Sequence, residues 1–208
     1  MDSRDKVRAI IDQISILTQA EKDIIVEETI IEAFKKGTIL LRQGQVPNQC
    51  FMVVEGCVRE YTIRNGVEKT TGFFTEGDKI TPHAYDDNGQ PSDHFLECLE
   101  DCIITISNRA YERRLLELLP RLAEVMPAFA LEELKKAKSE WTQFVTSSPE
   151  ERYNHLMETR PSLFNRVAHH QIASYLGMQP QSLSRIRKRI FNKQTQASNG
   201  SQVVSDHS

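Results

Sequence analysis

Glycines divide the middle of this chain into short apolar runs, and this pattern limits the folds that the segment can adopt. Between about residues 34 and 107, runs such as TILLRQG, CFMVVEG and KTTGFFTEG are rich in strand-forming residues. Asn65-Gly66 separates two such runs and predicts a two-residue hairpin, because a type I′ turn needs positive φ at both central residues. Many short strands at close spacing predict an antiparallel sandwich or barrel. The glycines are Gly37, Gly44, Gly56, Gly66, Gly72, Gly77 and Gly89.

Helical periodicity flanks this segment on both sides. Residues 3–35 predict helix, and Thr18 followed by Glu21 predicts a capping box that opens a second helix over about 19–29. Residues 108–146 carry one long apolar stripe opposite a charged face. Such a helix can pack on its own β-domain or pair with a second copy, and a small β-domain covers it poorly, which favours pairing. The predicted dimer contacts are Leu122, Met126, Phe129, Leu134, Ala137, Trp141 and Phe144.

Charge is distributed unevenly along the chain. The net charge is −3, with +4 in residues 148–208 and −7 in the remainder. A basic C-terminal part suggests a polyanionic partner. No apolar run approaches the ~20 residues of a membrane span, and the charged N-terminus does not resemble a signal peptide, so a cytoplasmic location is expected. Cys50, Cys57, Cys98 and Cys102 lack the clustered spacing of metal ligands and are predicted to be plain buried thiols.

Residues 169–190, HHQIASYLGMQPQSLSRIRKRI, are the most informative stretch for function. They predict a first helix over about 170–176, a turn at Gly177 and a second helix from about Pro180. The second helix has an apolar face, which must be buried, and an opposite face of small, amide and cationic side chains. Arginine can fork onto guanine and glutamine onto adenine, whereas flanking cations suit phosphates, so this is the helix-turn-helix design. The alternative to a DNA-binding helix is a solvent-exposed basic helix on an ordinary α-helical domain.

The buried face of the second helix is predicted to comprise Leu183, Ile186 and Ile190. The candidate DNA-contacting residues are His170, Gln179, Gln181, Ser182, Ser184, Arg185, Lys188 and Arg189.

With its parts in this order, the chain resembles the Crp/Fnr family of bacterial transcription regulators over about residues 20–191. The motifs that carry the resemblance are FKKGTILLRQG, VVEGCVR, Gly77-Asp78, LED at 99–101, the long helix and the helix-turn-helix. SPEERY, IASYLG and SLSRIR are similar to the Bacteroidetes-type branch. The resemblance implies an α+β fold: N-terminal helices, an antiparallel β-barrel (the double-stranded β-helix of cyclic-nucleotide-binding domains), a long dimerisation helix and a C-terminal helix-turn-helix domain.

This resemblance also implies function and domain limits. A sensor domain is expected over 1–120, a dimerisation helix over 121–147, a DNA-binding domain over 148–192 and a disordered polar tail over 193–208. A homodimer would place two recognition helices on a near-palindromic site in double-stranded DNA, with an unidentified small-molecule effector turning the DNA-binding domains about a hinge near Thr146–Pro149. RNA polymerase is a further candidate partner. The family's usual β-hairpin wing has no evident counterpart in the tail.

The resemblance assigns base reading to Gln181, Ser184 and Arg185. Many relatives have glutamate where Gln181 stands, so an altered operator is expected.

Relatives that bind cyclic nucleotides carry a Gly-Glu pair and a later Arg-Ser or Arg-Thr pair, which hold the ribose and the phosphate. Thr81-Pro82 and Ser92-Asp93 stand at those places in this sequence. A phosphate would therefore lose its cation and meet a carboxylate, so binding of cAMP in the usual mode is not expected. The candidate effector-pocket residues are Phe74, Gly77, Ile80, Thr81, Pro82, His83, Ser92 and Asp93.

The same sequence bears on other sensing chemistry and on other functions. The family's iron–sulfur sensors have an N-terminal cysteine cluster, whereas the first cysteine here is Cys50. Haem ligation by His83 or His94, or a metal held by these histidines with Asp86 and Asp87, fits no standard spacing, so no cofactor or metal is expected. Two alternatives remain: a ligand-binding or scaffold protein with a vestigial DNA module, and a cupin-type enzyme, which is disfavoured because the only close histidine pair is His169-His170.

Overall fold

Two capped helices open the chain. The computed structural model describes residues 2–82, 85 and 89–202, the last ten of them as backbone. Helix α1 spans Ser3–Asp12 and helix α2 spans Gln19–Glu28, and each begins with a capping box. The Thr18 side chain accepts from the Glu21 N–H while the Glu21 carboxylate accepts from the Thr18 N–H at 2.7 Å, which confirms the predicted box. These two contacts satisfy N–H groups that a helix start otherwise leaves without partners.

In the described part of the chain, eight strands form two antiparallel four-stranded sheets. The strands are β1 (Ile30–Phe34), β2 (Ile39–Leu41), β3 (Cys50–Glu55), β4 (Val58–Arg64), β5 (Val67–Phe74), β6 (Lys79–Ile80), β7 (Phe95–Cys98) and β8 (Cys102–Ser107). Their orders are β1-β8-β3-β6 and β2-β7-β4-β5. Asn65 and Gly66 have φ of 53° and 74° and join β4 to β5, with Arg64 opposite Val67. The predicted two-residue hairpin is therefore confirmed.

One apolar cluster joins the two sheets. Phe51, Val53 and Ile104 contribute to it from the first sheet, and Val58 and Leu96 contribute from the second. Within the described residues, hydrogen bonds form two separate sheets, so the expected β-barrel is corrected: the sheets are antiparallel, as predicted, but they do not close into a barrel. Closure requires a continuous ladder, and β6 has only two residues before the chain leaves the sheet.

Strand β1 lies where helix was predicted as far as residue 35. Helix α2 ends at Glu28, and β1 pairs with β8 from Ile30↔Ile106 to Phe34↔Cys102. The strand exists because a partner about seventy residues away supplies its hydrogen bonds. A local pattern of apolar residues does not contain that information.

Six further helices follow the sheets. They are α3 (Arg109–Leu118), α4 (Leu122–Thr146), α5 (Pro149–Thr159), α6 (Leu163–Arg166), α7 (His169–Tyr175) and α8 (Pro180–Gln202). The chain divides into two compact units, of which unit 1 ends at Glu140 and unit 2 begins at Trp141. The boundary therefore falls inside α4, whereas the predicted domain limits lay at 120 and 147.

Helix α8 continues to Gln202, although the polar sequence predicted disorder from residue 193. Extending an existing helix adds one backbone hydrogen bond for each residue that becomes ordered, and it avoids the free-energy cost of helix nucleation. A polar sequence can therefore continue the helix. No strand follows α8 among residues 2–82, 85 and 89–202, and residues 203–208 lie outside the described part.

The cysteine prediction is confirmed for three of the four thiols. Cys57, Cys98 and Cys102 are buried and Cys50 is half-buried, and all four are free thiols. Within the part of the chain that the structure describes, no helix is long and apolar enough to cross a membrane.

Glu21 gives unit 1 a testable dependence on acidity. Its carboxylate accepts the Thr18 N–H and two contacts from the Arg121 guanidinium, at 2.7 and 2.9 Å, and these bonds lower the pKa of Glu21. A lowered pKa in the folded state stabilises the fold at neutral pH, and this contribution is lost as the pH falls through the folded pKa. We therefore expect Glu21→Gln to reduce the free energy of unfolding at pH 7, by a margin that shrinks in acid.

Denaturant unfolding at a series of pH values measures this margin. Glu133→Gln, on the exposed surface of α4, is the matched control and should leave the profile unchanged. A Glu21→Gln margin that is constant from pH 7 to pH 3 would contradict the assignment.

Candidate nucleic-acid interface and effector segment

A tight turn connects α7 to α8. The Gly177 N–H donates to the Ser174 carbonyl at 3.1 Å and the Met178 N–H donates to the Ala173 carbonyl at 2.9 Å. Gly177 has φ of 69°, in the region where a side chain is strained, so glycine suits this position. Helix α7 matches the predicted first helix to within one residue at each end. The sequence thus located this helix pair and its turn correctly.

The two faces of α8 differ as predicted. Leu183 is fully buried and Ile186 is 6% exposed, whereas Ile190 is half-buried. The four residues expected on the opposite side, Gln181, Ser184, Arg185 and Lys188, are all exposed. The Ser184 hydroxyl donates to the Pro180 carbonyl at 3.1 Å, one turn earlier in the helix. The apolar side therefore anchors α8 and leaves a polar, cationic stripe in solvent.

The cations of α8 have different surroundings. Arg189 forms an ion pair with Glu150 of α5 at 2.7 Å. Burial raises the pKa of Tyr153. The nearby Arg187 opposes this shift through its charge and its hydrogen bond. Among the residues whose side chains are described, neither Arg185 nor Lys188 has an ion-pair partner. These two cations are the ones most available to an external anion.

The remaining predicted contact residues are arranged around this stripe. His170 and Gln179 are exposed, and Ser182 is half-buried. The neighbouring His169 is half-buried, and burial together with the nearby Arg187 charge lowers its pKa, so this imidazole is neutral at pH 7.

Arg152 of α5 contacts the turn and was not singled out from the sequence. Its guanidinium donates from Nη1 to the Leu176 carbonyl at 2.9 Å and from Nε to the Ser147 carbonyl at 3.1 Å. The guanidinium carbon lies 4.3 Å from the centroid of the Phe144 ring. Its only sequence signal was the SPEERY motif, which carries no indication of these partners.

The predicted dimer contacts on α4 separate into two groups. Met126, Leu134, Ala137 and Trp141 are exposed, with Leu134 at 64% and Trp141 at 65%. Leu131 and Val145 are also exposed, although they were not among the predicted contacts.

Leu122, Phe129 and Phe144 are instead covered by their own chain, which corrects the prediction for an open face. Leu122 is 8% exposed and packs with Leu17 and Leu119. Phe129 is half-buried, with Lys79 Nζ 5.7 Å from its ring centroid, and Phe144 is half-buried beneath Arg152. Periodicity identifies the apolar residues of a helix but cannot say which of them the same chain already covers.

The proposed effector segment runs from β6 to β7. Ser92 is 5% exposed, and its hydroxyl donates to the His94 carbonyl at 3.0 Å and accepts from the His94 N–H at 3.1 Å. Asp93 is exposed and lies 2.5 Å from His94 Nδ1. Thr81 is exposed and Pro82 is buried.

Three further residues of the proposed pocket lie in or beside the core. Ile80 is 1% exposed inside the shared core, Phe74 packs against that core, and the Gly77 N–H donates to the Val53 carbonyl at 2.9 Å. His83, together with Asp86 and Asp87, lies outside the described residues. Among those that are described, no group of three His, Cys, Asp or Glu side chains is arranged to hold a metal ion.

Tyr85 attaches this segment to α3. Its hydroxyl donates to Glu112 Oε1 at 3.1 Å, and the Arg109 guanidinium lies 4.5 Å from its ring centroid. Burial raises the pKa of Tyr85 and raises that of the neighbouring Cys50 to about 11, so both groups are protonated at neutral pH. No sequence motif relates Tyr85 to residues of α3, so this attachment was not predicted.

Comparison with known proteins identifies the β-rich part of the chain. Residues 31–117, which run from β1 to α3, match the family model described as cyclic nucleotide-binding domain. A search of curated protein sequences finds no match. Because the domain match ends before α4, it carries no information about the exposed stripe of α8.

Solved structures resemble a larger share of the chain. FixK2 from Bradyrhizobium japonicum has a TM-score of 0.64 at 18% identity, covering 79% of this chain and 85% of its own. The c-di-GMP-responsive global regulator CLP from Xanthomonas campestris also has a TM-score of 0.64, at 14% identity, covering 85% and 93%. The catabolite activator protein of Thermus thermophilus has a TM-score of 0.51 at 20% identity, covering 85% of each chain. Residues 31–117 thus match a cyclic nucleotide-binding domain, and the fold of the chain is similar to those of these three solved proteins.

Proposed function

We propose that this protein is a homodimeric, sequence-specific DNA-binding transcription regulator. The observation that carries the proposal is the division of α8 into two faces. Leu183 and Ile186 anchor the helix, which leaves Gln181, Ser184 and Arg185 exposed together on the other side. In a helix-turn-helix, the N-terminal part of the second helix enters the major groove, and these three residues occupy that part of α8.

The chemistry of the stripe suits direct reading of bases. Arg185 can donate two hydrogen bonds to guanine O6 and N7, and Gln181 can pair with adenine through N6 and N7. Lys188, one turn further along, supplies a point charge for a phosphate. Arg189 can add a second phosphate contact if its guanidinium leaves the Glu150 carboxylate and pairs with a DNA phosphate instead. Both partners are anions that an arginine can bind through charge-assisted hydrogen bonds.

The exposed face of α4 supports pairing of two copies. Leu134, Ala137 and Trp141 follow one another at spacings of three and four residues, as at the core positions of a coiled coil. A monomer would leave this apolar surface in water, whereas a second α4 would cover it. A two-fold dimer carries two copies of α8, and a spacing of about 34 Å between them fits successive major grooves of one DNA face.

The effector domain of this regulator is proposed to act without cAMP in the usual mode. Ser92 stands where cAMP-binding relatives have the phosphate-binding arginine. Its hydroxyl is hydrogen-bonded to the backbone of His94. The next side chain, Asp93, is an exposed carboxylate. A phosphate diester there would be desolvated opposite a like charge and without a cation, which costs affinity.

Selection of duplexes from random DNA tests sequence reading, followed by titration of the selected site at several salt concentrations. We expect a two-fold symmetric consensus, and we expect Arg185→Ala to cost about 1–3 kcal/mol, roughly 5- to 150-fold in Kd, for each half-site, because each subunit loses one forked base contact. Arg64→Ala, on the exposed end of β4, is the matched control and should bind normally. No enrichment by a folded dimer would contradict the proposal and favour a ligand-binding protein with a vestigial DNA module.

Sedimentation of a Leu134→Glu variant tests the dimer. Placing a carboxylate from each subunit in the paired face removes apolar burial worth about 1.5–3 kcal/mol per leucine, so the dimer dissociation constant should rise at least about tenfold. Lys136→Glu introduces the same side chain on the opposite side of α4 and should leave the dimer intact. A dimer that is equally stable in both variants would place the interface elsewhere.

Titration calorimetry and thermal unfolding with cAMP test the effector proposal. We expect neither measurable heat nor an increase in Tm at 1 mM nucleotide, because binding of the folded state would stabilise it by mass action. The double substitution Ser92→Arg with Asp93→Ser restores the residues found in cAMP-binding relatives and should increase affinity if only this pair is missing. Micromolar binding by the unaltered protein would overturn the proposal.

A further inference from the structure

Two backbone carbonyls that end helical segments converge on one arginine in unit 2. Ser147 follows the last turn of α4, and Leu176 is the C-cap of α7, immediately before the turn at Gly177. Arg152 donates to both carbonyls, at 3.1 and 2.9 Å. Carbonyls at helix ends lack intrahelical donors, so a forked guanidinium satisfies both at once.

The Arg152 guanidinium also lies close to the Phe144 ring and to the turn at Gly177. One face lies over the Phe144 ring, 4.3 Å from its centroid, in the geometry of a cation–π contact. A Cβ atom at Gly177 would lie 3.1 Å from Arg152 Nη1 and 3.6 Å from the Phe144 ring, so the turn approaches the arginine closely. Hydrogen bonds, stacking and close packing therefore restrict Arg152 in three directions.

We infer that Arg152 is a positioning residue that couples the end of α4 to the recognition helix α8. The Arg152 clamp, defined as Arg152 with the Ser147 and Leu176 carbonyls and the Phe144 ring, makes the last turn of α4 and the turn before α8 one rigid piece. In a dimer whose α4 helices pair near Trp141, this piece of unit 2 then sets the orientation of each α8. This inference rests on the proposed function, because the orientation matters only for a dimer that reads two half-sites.

The segment next to the clamp is held at several points. The Thr146 hydroxyl donates to the Thr142 carbonyl at 2.8 Å, and the Ser147 N–H donates to the Gln143 carbonyl at 3.0 Å. On the other side, Ser148 forms a capping box with Glu151 at the start of α5. A hinge that rotates freely over Thr146–Pro149 would have to break these bonds as well as the clamp, so the end of α4 and the start of α5 are held together within unit 2.

The clamp predicts different effects on one half-site and on two. Binding of a single half-site needs only a folded α7 and α8. Simultaneous binding of both half-sites depends on the effective concentration of the second α8 at its groove, which falls when its orientation is no longer restricted. Loss of the clamp should therefore weaken binding of the full operator much more than binding of one half-site.

Trp141 provides a readout that does not require DNA. It is the sole tryptophan of the chain and stacks on Phe144, with ring centroids 6.3 Å apart and planes 15° from parallel. Arg152→Gln should release Phe144 and shift the emission and lower the anisotropy of Trp141, in a sample matched to the unaltered protein in oligomeric state. Arg160→Gln, at the other end of α5, is the matched control and should leave the signal unchanged. An identical signal in Arg152→Gln and the unaltered protein would overturn the clamp.

Titration of the full operator and of one half-site completes the test. We expect Arg152→Gln to weaken full-site binding at least tenfold and half-site binding less than threefold, the latter showing that unit 2 is still folded. Arg152→Lys keeps the charge but cannot satisfy both carbonyls, so it should resemble Arg152→Gln and serves if that variant is unstable. Equal weakening on both DNAs would reduce Arg152 to a structural role. If the unaltered protein selects no DNA site, the proposed function fails, and the Trp141 signal still decides whether the clamp exists.

Discussion

Burial of Leu183 and Ile186 decides which side of α8 faces solvent, and the candidate interface depends on this packing. Ala173 of α7 is fully buried, and its small side chain allows the second helix to cross closely. With the apolar side covered, helical geometry places Gln181, Ser184 and Arg185 on the opposite side without any further interaction. Because α8 is anchored by packing, its orientation depends on the elements that it packs against. Arg152 connects the turn before α8 to the end of α4.

Unit 1 combines a shared apolar core with a loop segment that is held by local contacts. The two sheets share an apolar core, and residues 31–117 match a cyclic nucleotide-binding domain. In the segment between β6 and β7, the Ser92 hydroxyl donates to the His94 carbonyl within a local turn. Tyr85 attaches the same segment to α3 through Glu112 and Arg109. The core supports the fold, whereas a few loop residues set the ligand chemistry, so the two can diverge independently.

Some predictions succeeded because their signals are local. The Asn65-Gly66 hairpin and the Thr18–Glu21 capping box depend on residues within a few positions of each other, and both are confirmed. Predictions that required knowledge of distant partners were less accurate. Strand β1 was predicted as helix, and Leu122 was assigned to an open face although Leu17 and Leu119 cover it. The predicted barrel was right about antiparallel sheets but wrong about closure, since closure of the ladder depends on strand ends that meet only in the folded chain.

The sequence by itself determined the turn and the two faces of α8, because both follow from residue type and from the 3.6-residue period of a helix. Only the tertiary structure decided which apolar residues of α4 remain exposed, which α8 cations are engaged by their own chain, and what Arg152 contacts. These outcomes depend on groups that are far apart along the chain, such as Arg189 with Glu150 and Arg152 with Leu176. The order of residues along the chain does not show which distant groups will meet, because tertiary packing brings them together.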